Sequence, residues 1–384
     1  MSKNQFRIIV GSYEHNLLCL SLDLSTTTKP IFTPIFHFQA HSLSIKCLDI
    51  SKRYLVSGSN DEHIRIYDLQ KRKELGTLLQ HQGSITALKF SQTEDKSNNK
   101  WLLSASEDHK IIIWRVKDWE NFGTLKGHTA RINDLDIHPS SRIAVSVSDD
   151  HSIRLWNLMT VKKAAVLKLR KYNQNGQYVR WLGENGEYFA VALLNRILIY
   201  STSDAKVHYE LDTGKKTILH IERVLLDEAK NEYLCVGISD GSIQFYPTKK
   251  LFLDEPNIKE PEFSLLGHTN RVKDFQFYQN EFGTYLVSIG SDGRIVVWDM
   301  KDREQIAVYD CGERLNCLAV CDESIEKYET MKKRTLLENV EQSEAELSDT
   351  EELKKVMFGT KNKNKKKKKS KGQNKRQKVS VELE

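Results

Sequence analysis

The amino-acid sequence predicts an all-β fold, a seven-bladed β-propeller closed by a C-terminal strand that completes the first blade and followed by a disordered or partly helical tail. Three observations predict it. An acidic residue stands six positions before an aromatic or apolar one again and again along the chain, a strand-like run joins the two, and the copies recur every 42 to 52 residues. Four short strands per unit of about 45 residues is the period at which a blade repeats.

The seven copies follow in order. VGSYEHNLLCLSL sets Glu14 before Leu20, SGSNDEHIRIYDL sets Asp61 before Tyr67, and SASEDHKIIIWRV sets Asp108 before Trp114. SDDHSIRLW carries Asp150 and Trp156. VALLNRILIYS is degenerate, with Leu194 in the acidic slot before Tyr200, whereas GISDGSIQFYP has Asp240 and Tyr246 and SIGSDGRIVVWDM has Asp292 and Trp298. Four copies are preceded by a histidine, His41, His81, His128 and His268, at 20, 27, 22 and 24 residues before the aspartate; the polar insertion SQTEDKSNNK accounts for the longest spacing. Within a unit the histidine leads into a short alternating run such as INDLDI, then an apolar run with small residues such as YLVSGS, then the turn holding the aspartate, the aromatic strand and an outer strand.

The first unit starts abruptly at Arg7 with no innermost strand. RLNCLAVCDE, Arg314 to Glu323, has the alternation of the missing piece, and pairing it into the first blade removes the open edges of the ring. The fifth and sixth units, residues 168 to 247, lack the histidine. Their alternation survives and the ENG turn suits a hairpin, so apolar packing is expected to take over there, with no specialised site.

These repeats resemble the WD40 family over residues 7 to 323. The resemblance implies that loop histidine, strand serine, turn aspartate and strand aromatic form a hydrogen-bonded cluster in each blade. The members here are His41, Ser57, Asp61 and Tyr67; His81, Ser104, Asp108 and Trp114; His128, Ser146, Asp150 and Trp156; and His268, Ser288, Asp292 and Trp298, with the choice between paired serines left open. Ser, His and Asp together also suggest a hydrolytic triad. Four copies argue against it, because an active site is singular whereas a bracing device recurs with the fold. No phosphate-cradling glycine loop, nucleophile elbow or metal-binding helix is present, so neither enzyme nor cofactor is expected.

Six scattered cysteines without a CxxC pair suggest small buried residues in a reducing compartment rather than disulfides, zinc ligands or a Cys317–Cys321 redox pair. No apolar stretch is long enough to span a bilayer, and a monomeric propeller without membrane contact is expected. The net charge of +6 conceals a separation: residues 361 to 384 carry eleven Lys or Arg and two Glu, leaving the rest acidic. The chain therefore divides into a propeller, 1–323, and a tail, 324–384, with an acidic linker at 338–352 and a lysine-rich segment at 361–378. Ser343 and Ser348, each followed by acids, are candidate phosphorylation sites.

Function is expected in binding. Arginine follows the histidine position, or its equivalent, at Arg131, Arg271 and Arg314, a candidate face for an acidic peptide or phosphate; the alternative is three solvated side chains. Lys365, Lys366, Lys367, Lys368, Lys369, Lys371, Lys375 and Arg376 are candidates for nuclear targeting or RNA contact. Eight such cations on single-stranded phosphates give a log-affinity against log-salt slope of roughly −5.6.

RIIVGSYEHNLLCL at the start, IYDL with LLQHQGSITALKF, ERLNCLAVCDE and the lysine-rich tail resemble a nucleolar group of WD-repeat proteins. That group contains the PAK-interacting protein of animals and its fungal large-subunit assembly relative. The resemblance implies a non-catalytic factor of the nucleus and nucleolus in rRNA processing and large-ribosomal-subunit assembly, docking pre-ribosomal proteins, among them one of the L24 type, with rRNA contact through the tail. The alternatives are a negative regulator of PAK-type kinases, for which the lysine run has no evident use, and a histone-tail reader, which calls for acidic and aromatic pockets in place of the arginines.

Overall fold

Runs of four to nine residues rich in apolar side chains build strands throughout the computed structural model, which describes residues 3–25, 29–91, 100–226, 231–253, 258 and 260–325. The strands pair into seven antiparallel sheets of four. Each is a blade of a β-propeller. The innermost strands, from the second blade to the seventh, are Ile45–Ser51, Ile85–Phe90, Ile132–Ile137, Tyr178–Leu182, Ile218–Leu226 and Val272–Asn280. The first blade takes its innermost strand from the far end of the sequence. Leu315–Asp322 pairs antiparallel with Gln5–Ser12, Phe6 opposite Asp322 and Val10 opposite Leu318.

This strand touches the innermost strands of both the second and the seventh blade, so the ring closes. Seven apolar clusters lie where neighbouring blades face one another. One joins Phe6, Val10 and Leu318 of the first blade to Val287 and Ile295 of the last. Burying each such side chain contributes about 1.5–3 kcal/mol.

Polar side chains stitch the same seams. Asp274 Oδ2 accepts from Leu318 N at 2.9 Å and Gln276 Oε1 from Val320 N at 3.1 Å, joining the last blade to the first. Asp134 and Asp136 of the fourth blade do the same for Val179 N and Trp181 N of the fifth. Each side-chain oxygen satisfies a backbone donor on a strand edge that has no further strand to pair with.

In six blades a β-bulge lies at the start of the innermost strand. It skips Lys46, Thr86, Asn133, Leu219, Lys273 and Asn316 in the pairing with the next strand. All six line the central channel. A bulge re-aims one side chain out of the alternating pattern, which is how a strand otherwise committed to packing supplies a residue to the channel.

Cys19, Cys235, Cys317 and Cys321 are buried. Among the described residues no helix is long and apolar enough to cross a membrane, and no cluster of three metal-ligating side chains occurs. Apart from Ser324 and Ile325, the expected tail lies outside the described residues, with its acidic linker, Ser343, Ser348 and the lysine-rich candidates from Lys365 to Arg376.

Candidate functional site

The recurring clusters assemble inside the blades. His128 Nδ1 lies 2.8 Å from Asp150 Oδ2, its Nε2 2.8 Å from Ser146 Oγ, and Trp156 Nε1 donates to the same hydroxyl at 2.8 Å. His81, Asp108, Ser104 and Trp114 repeat this with contacts of 2.8–3.0 Å. His268, Asp292, Ser288 and Trp298 do so at 2.9–3.3 Å. An ionised carboxylate only accepts, so Nδ1 carries the proton, Nε2 accepts from serine, and serine accepts from tryptophan; a neutral imidazole satisfies the whole relay.

Burial favours that state. It pulls the His41, His128 and His268 pKa values down despite the aspartate beside each. For Asp61, Asp108, Asp150 and Asp292 burial works the other way and is outweighed by histidine and backbone N–H donors, so all four sit below the usual carboxylate range.

The aspartate also shapes its turn. Asp61, Asp108 and Asp150 accept from the backbone N–H two residues on, across Glu62, His109 and His151, whose φ angles are 69°, 65° and 56°. Left-handed backbone is unfavourable for such residues, and the side-chain hydrogen bond offsets it. Of the paired serines, Ser57, Ser104, Ser146 and Ser288 meet the histidine. Ser59, Ser106 and Ser148 instead accept from the aspartate N–H and donate to a loop carbonyl. In the last blade that second position is Gly290, where a Cβ would stand 2.3 Å from Asp292 Oδ1 and 2.5 Å from His268 Nδ1.

The second blade differs. His41 joins Asp61 and Ser57, but the buried Tyr67 hydroxyl has no hydrogen-bond partner among the described residues, so the relay ends at serine. The order Asp, His, Ser is that of a hydrolytic triad. Yet the four serines are 0% exposed, and three of them already receive an indole proton, so no substrate carbonyl reaches them.

In the fifth and sixth blades Val191 and Val236, both fully buried, occupy the serine position, opposite Leu198 and Gln244 of the third strand. Strand pairing is intact, as expected. The sixth blade nonetheless keeps a polar turn, with Lys216 Nζ 2.7 Å from Asp240 Oδ2 in the histidine's stead.

The expectation that these two blades hold nothing but packing needs correction. Arg180 of the fifth blade, buried, donates through its Nη1 to Asp134 at 2.7 Å and through Nε to Glu222 of the sixth at 3.0 Å. Burial opposes the charge on Glu222, but Arg180 and Lys89 outweigh it and hold that carboxyl at about 2. Beside them His220 Nε2 and Asp274 Oδ1 face each other at 3.3 Å, off the hydrogen-bonding direction, and neither atom has a hydrogen bond among the described residues. Burial takes His220 down to about 3 and Asp274 up to about 7. Sequence reasoning passed over these residues; the available signal was a charge inside an otherwise apolar innermost strand, as in YVRWL and HIERVLL.

These side chains and the bulge residues together line a cavity of about 280 Å³ in the channel. The three arginines singled out in the sequence are exposed near innermost strands of the fourth, seventh and first blades. Arg131 is paired with Glu107 at 3.1 Å. Arg271 and Arg314 lie on neighbouring blades beside the bulge residue Lys273, which is held below its usual pKa first by burial and then by the charges of Lys46, Arg271 and Arg314. The three arginines thus do not form one patch: two join Lys46 and Lys273, and the third is committed elsewhere.

The family model described as WD domain, G-beta repeat, matches residues 32–68, 72–115, 119–157 and 259–299. Those segments cover the four blades that carry the histidine. The chain is 67% identical to "Protein MAK11" of Saccharomyces cerevisiae over 100% of its own length and 99% of the relative's. It is 33% identical to "p21-activated protein kinase-interacting protein 1-like" of Gallus gallus, over 84% of this chain and 83% of that one. The chain belongs to the MAK11 and p21-activated kinase-interacting family of WD-repeat proteins. The human p21-activated protein kinase-interacting protein 1 is 32% identical over 74% of this chain and 68% of its own. Each WD repeat in this family member starts in the outer strand of one blade and ends in the third strand of the next. Consecutive repeats therefore overlap two blades, and the first blade is left to be completed from the C-terminal end. A WD-repeat propeller of this kind is a scaffold.

Proposed function

We propose that this protein is a non-catalytic assembly factor for the large ribosomal subunit, acting in rRNA processing and particle maturation in the nucleus and nucleolus. The propeller face takes protein partners, among them a ribosomal protein of the L24 type, and the lysine-rich tail contacts rRNA phosphates. The observation that carries this reading is a combination. The polar clusters that look chemical are sealed inside the blades, while eleven cations in residues 361–378 form a strongly basic segment of the kind that nucleic acid attracts. A second reading, regulation of a p21-activated kinase, is favoured by the names of the animal relatives.

Affinity purification of the intact chain at moderate salt separates the two. Large-subunit precursor rRNA with ribosomal proteins is the expected catch, and a kinase without rRNA would replace the first reading by the second. Removing residues 361–384 is expected to disperse the protein from the nucleolus with its Tm unchanged; unaltered nucleolar localisation, followed by fluorescence, would refute the role given to the tail.

A further inference from the structure

The mouth of the channel is asymmetric. Reading round the bulge positions from the seventh blade to the second gives Lys273, Asn316 and Lys46, with Arg271 and Arg314 in the loops just ahead of the first two. Reading on through the third, fourth and sixth blades gives Thr86, Asn133 and Leu219, with Arg131 already paired to Glu107. Four cations from three adjacent blades are therefore gathered on one side. Among the described residues none of the four has a carboxylate within ion-pairing distance, unlike Arg131, Arg180 and Lys216.

Gathering them is unfavourable in the free protein. Lys273 is half-buried and repelled by the other three, and its ammonium is shifted accordingly. The cavity below adds two unsatisfied groups, His220 Nε2 and Asp274 Oδ1, both buried. Mutual repulsion among cations that no described carboxylate pairs directly is the arrangement expected where an anion completes the site.

We propose that this mouth binds a compact polyanion bearing several phosphate monoesters, of the size of an inositol polyphosphate, through Arg271, Lys273, Arg314 and Lys46. The proposal rests on the reading of this face as a binding surface and names a ligand for it. Lys46 and Lys273 line the cavity of about 280 Å³ while Arg271 and Arg314 are exposed in the loops ahead of it, so the ligand spans the opening rather than entering the cavity. Deeper residues of the same cavity, Asp49, Asp134, Glu222, Lys89 and Arg180, carry charges of both signs, whereas the mouth carries cations alone on this side. A nucleic-acid backbone is less suited, because it follows an extended line of cations, and here the positive charge ends after three blades. Arginine supplies planar two-pronged contacts to phosphate and lysine supplies point charge, so the set is chemically suited to monoesters.

The test uses the full chain and myo-inositol hexakisphosphate. Its basic tail also attracts the ligand, but those charges are equally available when the propeller unfolds, so only binding to the folded mouth raises Tm. At about one hundred times the Kd a rise of about 5 °C is expected. The Arg271→Gln, Lys273→Gln, Arg314→Gln triple variant should abolish the rise and weaken binding by about tenfold or more for each cation removed. Ligand should also protect Lys273 from amine acylation, read by mass spectrometry, which keeps the test valid if the triple variant folds poorly.

An undiminished Tm rise in a folded triple variant would overturn the proposal. So would an equal rise from sulfate at matched ionic strength, or a mouth-dependent rise produced by a mixed-sequence RNA or a diphosphorylated peptide and not by the inositol compound. Recovery of ribosomal proteins with the triple variant separates the two claims. Normal recovery with lost ligand binding leaves the ligand assignment standing and moves the partner surface elsewhere, whereas lost recovery with no ligand binding in the parent chain leaves the face and removes the ligand.

Discussion

The fourth and fifth blades are neighbours with the same four strands, and only the fourth is wired through its interior. His128, Asp150, Ser146 and Trp156 connect its outer turn to its second and third strands; the fifth has Leu194 in the turn and Val191 where the serine would be. Both pair in regular register. The difference shows that the blade itself is specified by alternation, turns and the apolar seams between sheets. The relay is an added brace that fixes one turn to one strand, and a blade can lack it if the serine site is filled by an apolar side chain such as Val191. What the fifth blade gives up inside the sheet it supplies to the channel. Arg180 ties three blades together at the axis, where the fourth blade offers only the carboxylate that Arg180 needs.

The sharpest way to break this comparison is at Arg180. Arg180→Ala leaves Asp134 and Glu222 facing each other in a buried site and is expected to destabilise by about 3–5 kcal/mol, the usual consequence of stripping one partner from a buried ion pair. Urea unfolding of the full chain measures it. Adding Glu222→Gln should restore part of the loss, because the repulsion between the two carboxylates goes with it, while Asp134 keeps its backbone partner Val179 N. A loss below about 1 kcal/mol for Arg180→Ala would mean that the axis is held by the apolar seams alone, and that the fifth blade is the weaker of the two in every respect.

The two regions also differ in how far they could be read from sequence. The relay was legible because four residue types recur at fixed spacing within one unit, and repetition itself shows which of them belong together. The choice between Ser146 and Ser148 was not legible: two residues apart on a strand, they point to the same face, and only their depth relative to His128 separates them. The closing strand was legible from what the first unit lacked. The channel was not. Asp134, Arg180, Glu222 and Asp274 come from four innermost strands spaced at the blade period, but they differ in residue type and charge, so repetition does not mark them as one set. The bulges that aim Lys46, Lys273 and Asn316 into the mouth are a one-residue shift that an alternating pattern conceals.

A smaller effect is expected where the comparison is made between turns. Asp150→Ala removes the acceptor for His128, for Thr129 N and for Ser152, and should cost about 1–3 kcal/mol through buried donors left without partners. Asp240→Ala in the sixth blade removes a half-exposed pairing with Lys216 and the hydrogen bonds to Ser242, and should cost about 1 kcal/mol or less after solvent screening. Thermal unfolding ranks them. Equal losses would show that the turn carboxylate works through its local backbone hydrogen bonds, and that the histidine and serine beneath it add no more than Val236 does.

The smallest effect belongs to the second blade, whose relay is complete only as far as Ser57. The Tyr67 hydroxyl is buried without a partner among the described residues, and burial pushes its pKa up to about 12. Tyr67→Phe therefore deletes a polar group that folding has already stripped of water, and stability should stay level or rise by up to about 1 kcal/mol. Trp156→Phe in the fourth blade is the proper contrast: it removes a donor that Ser146 does receive, at 2.8 Å, and should cost more than about 1 kcal/mol. Should Tyr67→Phe cost as much as Trp156→Phe in matched urea titrations, the hydroxyl would have to reach Ser57 in solution, and the second blade would belong with the fully braced ones.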